Sequence, residues 1–198
     1  MNRSERKDER DFSDVAGREI LLGVCGGIAA YKAAALTSLA RKAGLGVTAI
    51  MTEAATKLVA PKTFEALTGR PVATTMWGPN LAHPHIELAR QADVFCVAPA
   101  TANTMAKAAA GFADNLMTST ILAFTGTLIY APAMNAAMWE KPATQRNLRQ
   151  IVEDGALVVG PETGRFSCGE AGVGRMAEPE TIFDVVLTAL RAKRTRAV

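Results

Sequence analysis

The chain has 198 residues, 22 of them Lys or Arg and 19 Asp or Glu, for a net charge of +3. That length suits one domain, and an apolar fraction of 49% is that of a globular protein with a full core. The charge excess sits partly in the tail Arg191-Ala-Lys-Arg-Thr-Arg196, and no basic stripe with interleaved aromatics occurs elsewhere, which argues against a nucleic-acid partner.

The mixed-charge start has no apolar centre, so it is neither a secretory nor a transit segment. Residues 1–17 are expected to form a disordered tail, 18–192 the folded domain and 193–198 a solvated basic tail. No apolar run is long enough to span a membrane. Cys25, Cys96 and Cys168 are odd in number and widely spaced. They form neither a disulfide framework nor a CxxC metal pair, which fits a reducing cytoplasm.

Glu19 to Cys25 is a short apolar run, expected as a buried strand, and Gly26-Gly27 ends it before a helical pattern from Ile28 to Lys42. A strand, a glycine turn and a helix start make an anion site from free backbone N–H groups, although glycine is common at such turns in any doubly wound sheet. Gly46 to Met51 is the second strand, followed by Thr52 as an N-cap. Pro61 to Leu67 predicts a helix with proline in its first turn. Gly69 to Asn80 is turn-rich and expected as a surface excursion.

His83 and His85 are the two histidines of the chain, and without a third ligand cluster they do not make a metal site. His85 falls near a helix start just before the strand Val94 to Ala98; it is either a capping or core residue or a general acid/base. Pro99-Ala-Thr-Ala-Asn-Thr104 ends that strand with hydroxyl and amide groups that serve as N-caps or as donors to a phosphate or flavin edge. Helices are expected over Met105 to Gly111 and Asn115 to Phe124, then a strand from Thr127 to Ala131.

Pro132-Ala-Met-Asn-Ala-Ala-Met-Trp139 follows, with one amide, Asn135, among methionines and a tryptophan. Taken alone it is best explained as a strand end, an Asn cap and apolar packing; the alternative is an apolar ligand wall with one orienting polar group. A helix from Pro142 to Asp154 and a last core strand from Ala156 to Val159 come next. Gly160 to Met176 is glycine-rich and expected as a mobile loop. Cys168 inside it is expected to be exposed and reactive, unlike Cys25 and Cys96 in apolar strands. Pro179 opens a closing helix through Leu190.

Strands alternate with helices throughout. The pattern predicts an α/β, single-domain, Rossmann-like or flavodoxin-like three-layer fold with a mostly parallel sheet. The glycine turn, the Thr101–Thr104 turn and Pro132–Trp139 then converge at the carboxyl edge of the sheet, where ligands bind.

Gly26-Gly-Ile-Ala-Ala-Tyr-Lys32, His85-Ile-Glu-Leu, Ala98-Pro-Ala-Thr-Ala-Asn-Thr104, Pro132–Trp139 and Ser167-Cys-Gly-Glu-Ala-Gly-Val-Gly-Arg-Met176, in this order, resemble the homo-oligomeric flavin-containing cysteine decarboxylases. The likeness covers about Arg18 to Leu190. Within that family it is greatest to the phosphopantothenoylcysteine decarboxylases of coenzyme A biosynthesis, because of the cysteine loop.

The resemblance implies non-covalently bound FMN, contacted by Gly26, Gly27, Ile28, Thr52, Thr101, Ala102, Asn103, Thr104 and Ala133. Many members of the family carry serine where Gly27 stands. The family chemistry takes hydride from Cβ of the cysteine moiety to give a thioaldehyde, loses CO2 to an enethiolate, and returns the hydride. By the same resemblance His85 is the base or proton relay, Asn135 holds the substrate carboxylate, Met138 packs the pocket and Cys168 protonates the enethiolate.

The implied partners are a small-molecule substrate, further copies of the chain (a trimer or a dodecamer built of trimers) and a separate phosphopantothenoylcysteine synthetase, with neither nucleic acid nor membrane. Three other readings stand beside it. A lantibiotic-type peptide-cysteine decarboxylase shares Pro132–Trp139. A flavin prenyltransferase shares the sheet but needs a prenyl-phosphate pocket. A non-catalytic regulatory subunit would have lost residues that are present here.

Overall fold

The computed structural model describes residues 10–77, 82–165, 169 and 171–194. Five parallel strands form the central sheet: β1 (Glu19–Val24), β2 (Gly46–Met51), β3 (Val94–Ala100), β4 (Thr127–Pro132) and β5 (Leu157–Val158). Their order is β2-β1-β3-β4-β5. The chain leaves β1 in one direction for β2 and crosses to the other side for β3. The switch point therefore lies between β1 and β3, the place where this strand order opens a crevice at the carboxyl ends.

The sequence dictates a sheet buried on both faces. Ile20, Leu22 and Val24 of β1 enter one core with Leu36 and Ala40 of α1 (Ala30–Lys42), and the same core takes in Ile182, Phe183 and Val186. Leu21 and Cys25 enter the other core with Phe95, Met105, Met117 and Ile121. Successive side chains point to opposite faces, and both are apolar, so the strand is an unbroken hydrophobic run.

After β2 come α2 (Glu53–Thr56), α3 (Pro61–Thr68) and α4 (Pro84–Gln91). After β3 come α5 (Ala102–Ala109) and α6 (Leu116–Ala123); after β4, α7 (Ala136–Trp139) and α8 (Pro142–Glu153). Beyond β5 lie β6 (Glu162–Arg165), β7 (Ala171–Arg175) and the closing α9 (Pro179–Arg194). The α/β, doubly wound fold agrees with the sequence expectation.

Several expectations are corrected. Residues 10–17 are not a free tail: Val15 is fully buried in the core and the Phe12 ring packs on Phe183 at 5.9 Å between centroids. Two apolar side chains three residues apart suffice to pin that segment. Residues 1–9 lie outside the described ones. The Gly69–Asn80 segment is not wholly an excursion, because Ala73 bridges to Ile50 and both donates to and accepts from the β2 backbone, lengthening the sheet edge. β3 continues through Pro99 to Ala100 rather than stopping at Ala98.

β5 is a two-residue edge strand, and its Leu157 is half-exposed rather than a core residue. The largest correction concerns the glycine-rich loop. Most of it is an antiparallel hairpin, β6 on β7, in which Thr163 faces Val173 and Gly164 faces Gly172. Cross-strand β-branched residues and small partners allow that close pairing. Phe166, Ser167, Cys168 and Glu170 lie outside the described residues, so the placement expected for Cys168 does too.

Candidate functional site

The carboxyl ends of β1, β2, β3 and β4 open into a cavity of about 1560 Å³. Its floor is made by helix starts. At the end of β1, Gly26 is required by a close approach: a Cβ there would stand 2.9 Å from the Ala54 carbonyl carbon. Gly27 is different, since its nearest neighbour would be the Thr101 Cγ2 at 3.5 Å, an ordinary contact. The N–H groups of Ile28 and Ala29, just ahead of α1, have no backbone partner among the described residues. Both residues line the cavity.

Thr52 at the end of β2 caps α2, its hydroxyl accepting from the Ala55 N–H at 3.2 Å. Thr101 at the end of β3 caps α5 in the same way, accepting from the Thr104 N–H at 3.4 Å. Thr104 is buried, and its hydroxyl lies 3.3 Å from that of Thr101. Glycine and threonine turns at three strand ends thus direct helix starts, with their positive dipole ends, at one space. The sequence selected these positions, and all of Gly26, Gly27, Ile28, Thr52, Thr101, Ala102, Asn103, Thr104 and Ala133 line the cavity.

Asn135 and Met138 complete the opposite wall. The Asn135 side chain accepts from the Ala137 N–H at 2.8 Å, so it is the N-cap of α7. The ordinary reading of that residue holds, and it also orients the amide group within the cavity. Met138 is 48% exposed at the rim, beside Ile28 at 66%, Tyr31 at 63% and Trp77 at 88%. Four large apolar side chains at the mouth of one cavity form a surface suited to cover by another molecule.

Cys25 lies beneath the floor, fully buried. Burial pushes its thiol up, opposed in part by hydrogen bonds from Thr104 and Thr101. Cys96 in β3 is pushed up to about 12 by burial. Neither is a thiolate nucleophile at neutral pH. On the cavity wall, Lys107 forms an ion pair with Asp114, whose carboxyl that hydrogen bond holds below the usual range.

His85 is the one described catalytic candidate that the fold does not bring to this space. It occupies the second position of α4, its Nδ1 is buried without a hydrogen-bond partner, and it is not among the cavity-lining residues. Among the described residues no group of three His, Cys, Asp or Glu is arranged to hold a metal, and no helix is long and apolar enough to cross a membrane.

Sequence reasoning missed Lys32, Arg165 and Arg175, which also line the cavity. They are far apart in sequence, and the glycine-rich character of the hairpin concealed the two arginines. The wall from Thr74 to Trp77 and the segment from Ala113 to Met117 were missed as well. An aspartate and an asparagine at the head of α6 were the available signal for the second.

The cavity fits a flavin cofactor in kind: a glycine that a Cβ would overfill, helix-start N–H groups without a backbone partner among the described residues for a phosphate, and an apolar wall for a ring. Comparison with known proteins agrees. Residues 9–191 match the family model described as Flavoprotein. The coenzyme A biosynthesis bifunctional protein CoaBC of Vibrio cholerae is 45% identical over 170 residues, covering 85% of this chain and 43% of that protein. The chain thus spans about two fifths of the length of the curated relatives it matches.

Among solved structures, a PPC decarboxylase mutant complexed with pantothenoylaminoethenethiol superposes with a TM-score of 0.78 at 34% identity, covering 86% of this chain and 96% of that one. The FMN-dependent cysteine decarboxylase SpaF superposes with a TM-score of 0.77 at 36% identity, covering 91% and 99%. The chain belongs to the Flavoprotein family, among its flavin-containing cysteine decarboxylases.

Proposed function

We propose that the protein binds FMN at the β1/β3 switch point and decarboxylates 4'-phospho-N-pantothenoylcysteine to 4'-phosphopantetheine in coenzyme A biosynthesis. The observation that carries this reading is the convergence of the Gly26-Gly27 turn, the Thr101–Thr104 turn and the Asn135 cap on one cavity large enough for cofactor and substrate together. The 45% identity to the bifunctional coenzyme A protein supports the pathway.

Bound FMN would supply the hydride acceptor and donor that make CO2 loss from a cysteine carboxylate feasible. Gly26, Gly27, Ile28 and Thr52 would hold its phosphate and ribityl chain, and Thr101 to Thr104 with Ala133 the ring edge. Asn135, fixed by its capping bond, would anchor the substrate carboxylate. Met138 would close the apolar wall and exclude water. Cys168, between β6 and β7 in the sequence, would deliver a proton to the enethiolate carbon.

His85 would take or relay the thiol proton. Its position outside the cavity wall of its own chain, together with the exposed apolar rim of Ile28, Tyr31, Trp77 and Met138, supports a site shared between copies in a trimer. A synthetase acting on the same pathway would supply the substrate.

Purified protein is expected to be yellow, to behave as a trimer or a multiple of one, and to release CO2 from phosphopantothenoylcysteine. A colourless monomer, or a yellow protein that turns over a C-terminal cysteine peptide and not this substrate, would overturn the reading.

A further inference from the structure

The described part of the cavity carries more positive charge than a cofactor-phosphate cradle of backbone N–H groups needs. Six charged side chains line it: Lys32, Glu53, Lys107, Asp114, Arg165 and Arg175. Lys107 and Asp114 are paired with each other, and Glu53 is paired with Lys57. That leaves Lys32, Arg165 and Arg175. A single carboxylate, Glu178, serves two of them, accepting from the Lys32 Nζ at 2.8 Å and from the Arg175 Nη2 at 3.1 Å. Arg165 makes no ion pair among the described residues. Three cations against one carboxylate leave two positive charges, the complement of a phosphate monoester dianion near neutral pH.

This cluster is built rather than incidental. Lys32 lies in the first turn of α1, its side chain is 11% exposed, and it is anchored to the Met176 carbonyl oxygen as well as to Glu178. On the hairpin, Arg175 pairs in register with Glu162, yet its guanidinium reaches along the neighbouring strand to lie over Gly164, with Nη1 2.6 Å from where a Cβ of residue 164 would stand. A side chain there would displace it. Glu178 holds the guanidinium from behind, and that pair of hydrogen-bonded cations keeps the Glu178 carboxyl below its usual range, Lys32 first.

The two arginines stand on a different element from the helix starts that suit the cofactor, and Lys32, in the first turn of α1, bridges the two through Glu178. The helix starts lie at the carboxyl edge of β1, β2 and β3, whereas the hairpin is a second sheet beyond the turn that follows β4, joined to it by the Met134 N–H donating to the Gly174 carbonyl at 2.9 Å. The cavity of about 1560 Å³ exceeds what one small ligand fills.

Resting on the proposed function, we infer that Arg165 and Arg175, with Lys32 and Glu178 as their support, bind the phosphate of the substrate and select it over its unphosphorylated counterpart. The glycine and threonine turns are left to the phosphate of the cofactor. A lantibiotic-type peptide substrate has no use for such a cluster.

The test uses the FMN-loaded protein and its Arg165→Gln variant, titrated calorimetrically with 4'-phosphopantetheine and with pantetheine, with flavin content measured on both. Arg165 has no ion pair to lose among the described residues and is exposed, so the variant is expected to fold. Gly164→Ala, which crowds Arg175 without removing charge, provides a second reading.

The expected result is that each variant weakens binding of the phosphorylated ligand about tenfold or more, the effect of losing a charge-assisted contact, and leaves pantetheine binding and flavin content unchanged. Equal weakening of both ligands, no weakening of either, or loss of flavin from Arg165→Gln would overturn the inference. Wild-type protein that releases CO2 from phosphopantothenoylcysteine while the variants discriminate nothing would sink this inference alone. Wild-type protein that neither releases CO2 nor binds either ligand would sink the proposed function with it.

Discussion

Replacing Gly26 by alanine tests the floor of the site most directly. A Cβ at that position would stand 2.9 Å from the Ala54 carbonyl carbon and 3.2 Å from its Cα, and closer still to its Cβ. Non-bonded carbons rest about 3.5–4.0 Å apart, so the β1–α1 turn and α2 must separate by roughly 0.6 Å or more. Neither neighbour is the end of a flexible side chain, and the strain falls on backbone. Overpacking of this kind costs about 1–3 kcal/mol, which in a chain of this size lowers the melting temperature by about 2–12 °C.

The same shift moves the N–H groups ahead of α1. Losing one hydrogen bond to a charged phosphate, about 1.5–3 kcal/mol, weakens FMN binding about 10- to 150-fold. Thermal unfolding of the apoprotein and quenching of flavin fluorescence on titration measure the two effects. Gly27→Ser is the control, because its nearest neighbour is 3.5 Å away. It is expected to melt with the wild type and to bind FMN equally or up to about tenfold more tightly. A Gly26→Ala variant with unchanged melting and unchanged FMN affinity would refute the reasoning.

Other expectations follow from the same geometry. His85→Asn keeps its FMN, since His85 does not line the cavity, and loses CO2 release; full activity would make His85 merely structural. Cys168→Ser stops after CO2 loss and accumulates an ethenethiol product, seen by mass spectrometry; a normal reduced product removes the cysteine from the mechanism. Glu178→Gln loosens the tie between α1 and the hairpin, with a stability loss under about 1 kcal/mol because the carboxylate is solvent-exposed. The folded pKa of Glu178 is depressed below its ordinary 4.5. Its contribution is therefore present above pH 4.5 and is lost as pH falls through the folded value. Urea midpoints of the two proteins should converge in acid, and a gap that stays constant to pH 3 would contradict the role assigned to that carboxylate.

Much of the fold was legible because parallel strands buried on both faces leave unambiguous apolar runs. β2 begins and ends at Gly46 and Met51, the residues read from sequence, and proline marked the starts of α3 and α8, whereas α5 begins at Ala102, capped by Thr101, three residues before the expected Met105. What escaped was non-local. The β6–β7 pairing sets glycines against glycines, and glycine carries no strand propensity, so composition pointed to a loop. Ala73 joins the sheet through backbone groups alone.

Phe12 and Val15 are two apolar residues in a charged stretch, and only the shape of the core shows that they fill it. In the site, the residues on strand-to-helix turns were found from sequence because each turn is a local motif. Lys32, Arg165 and Arg175 come together through tertiary contacts, the first two 133 positions apart (165 minus 32), and no spacing announces them.

The hairpin's separateness has a consequence for how such a protein diversifies. The residues suited to the cofactor all come from the first 133 positions, on the rim of the main sheet, whereas the two arginines belong to an independent ribbon. The ribbon meets the rest through the backbone bond from Met134 to Gly174 and through Arg175, which donates to Glu178 beside Lys32. Substitutions on β6 and at residues 171–173 of β7 thus fall on a ribbon apart from the strands of the main sheet, and they spare Cys168 and Gly174. On the inference drawn above, substrate preference would reside in a ribbon separable from the main sheet, and directed evolution at Glu162–Arg165 and residues 171–173 would be the direct way to alter it.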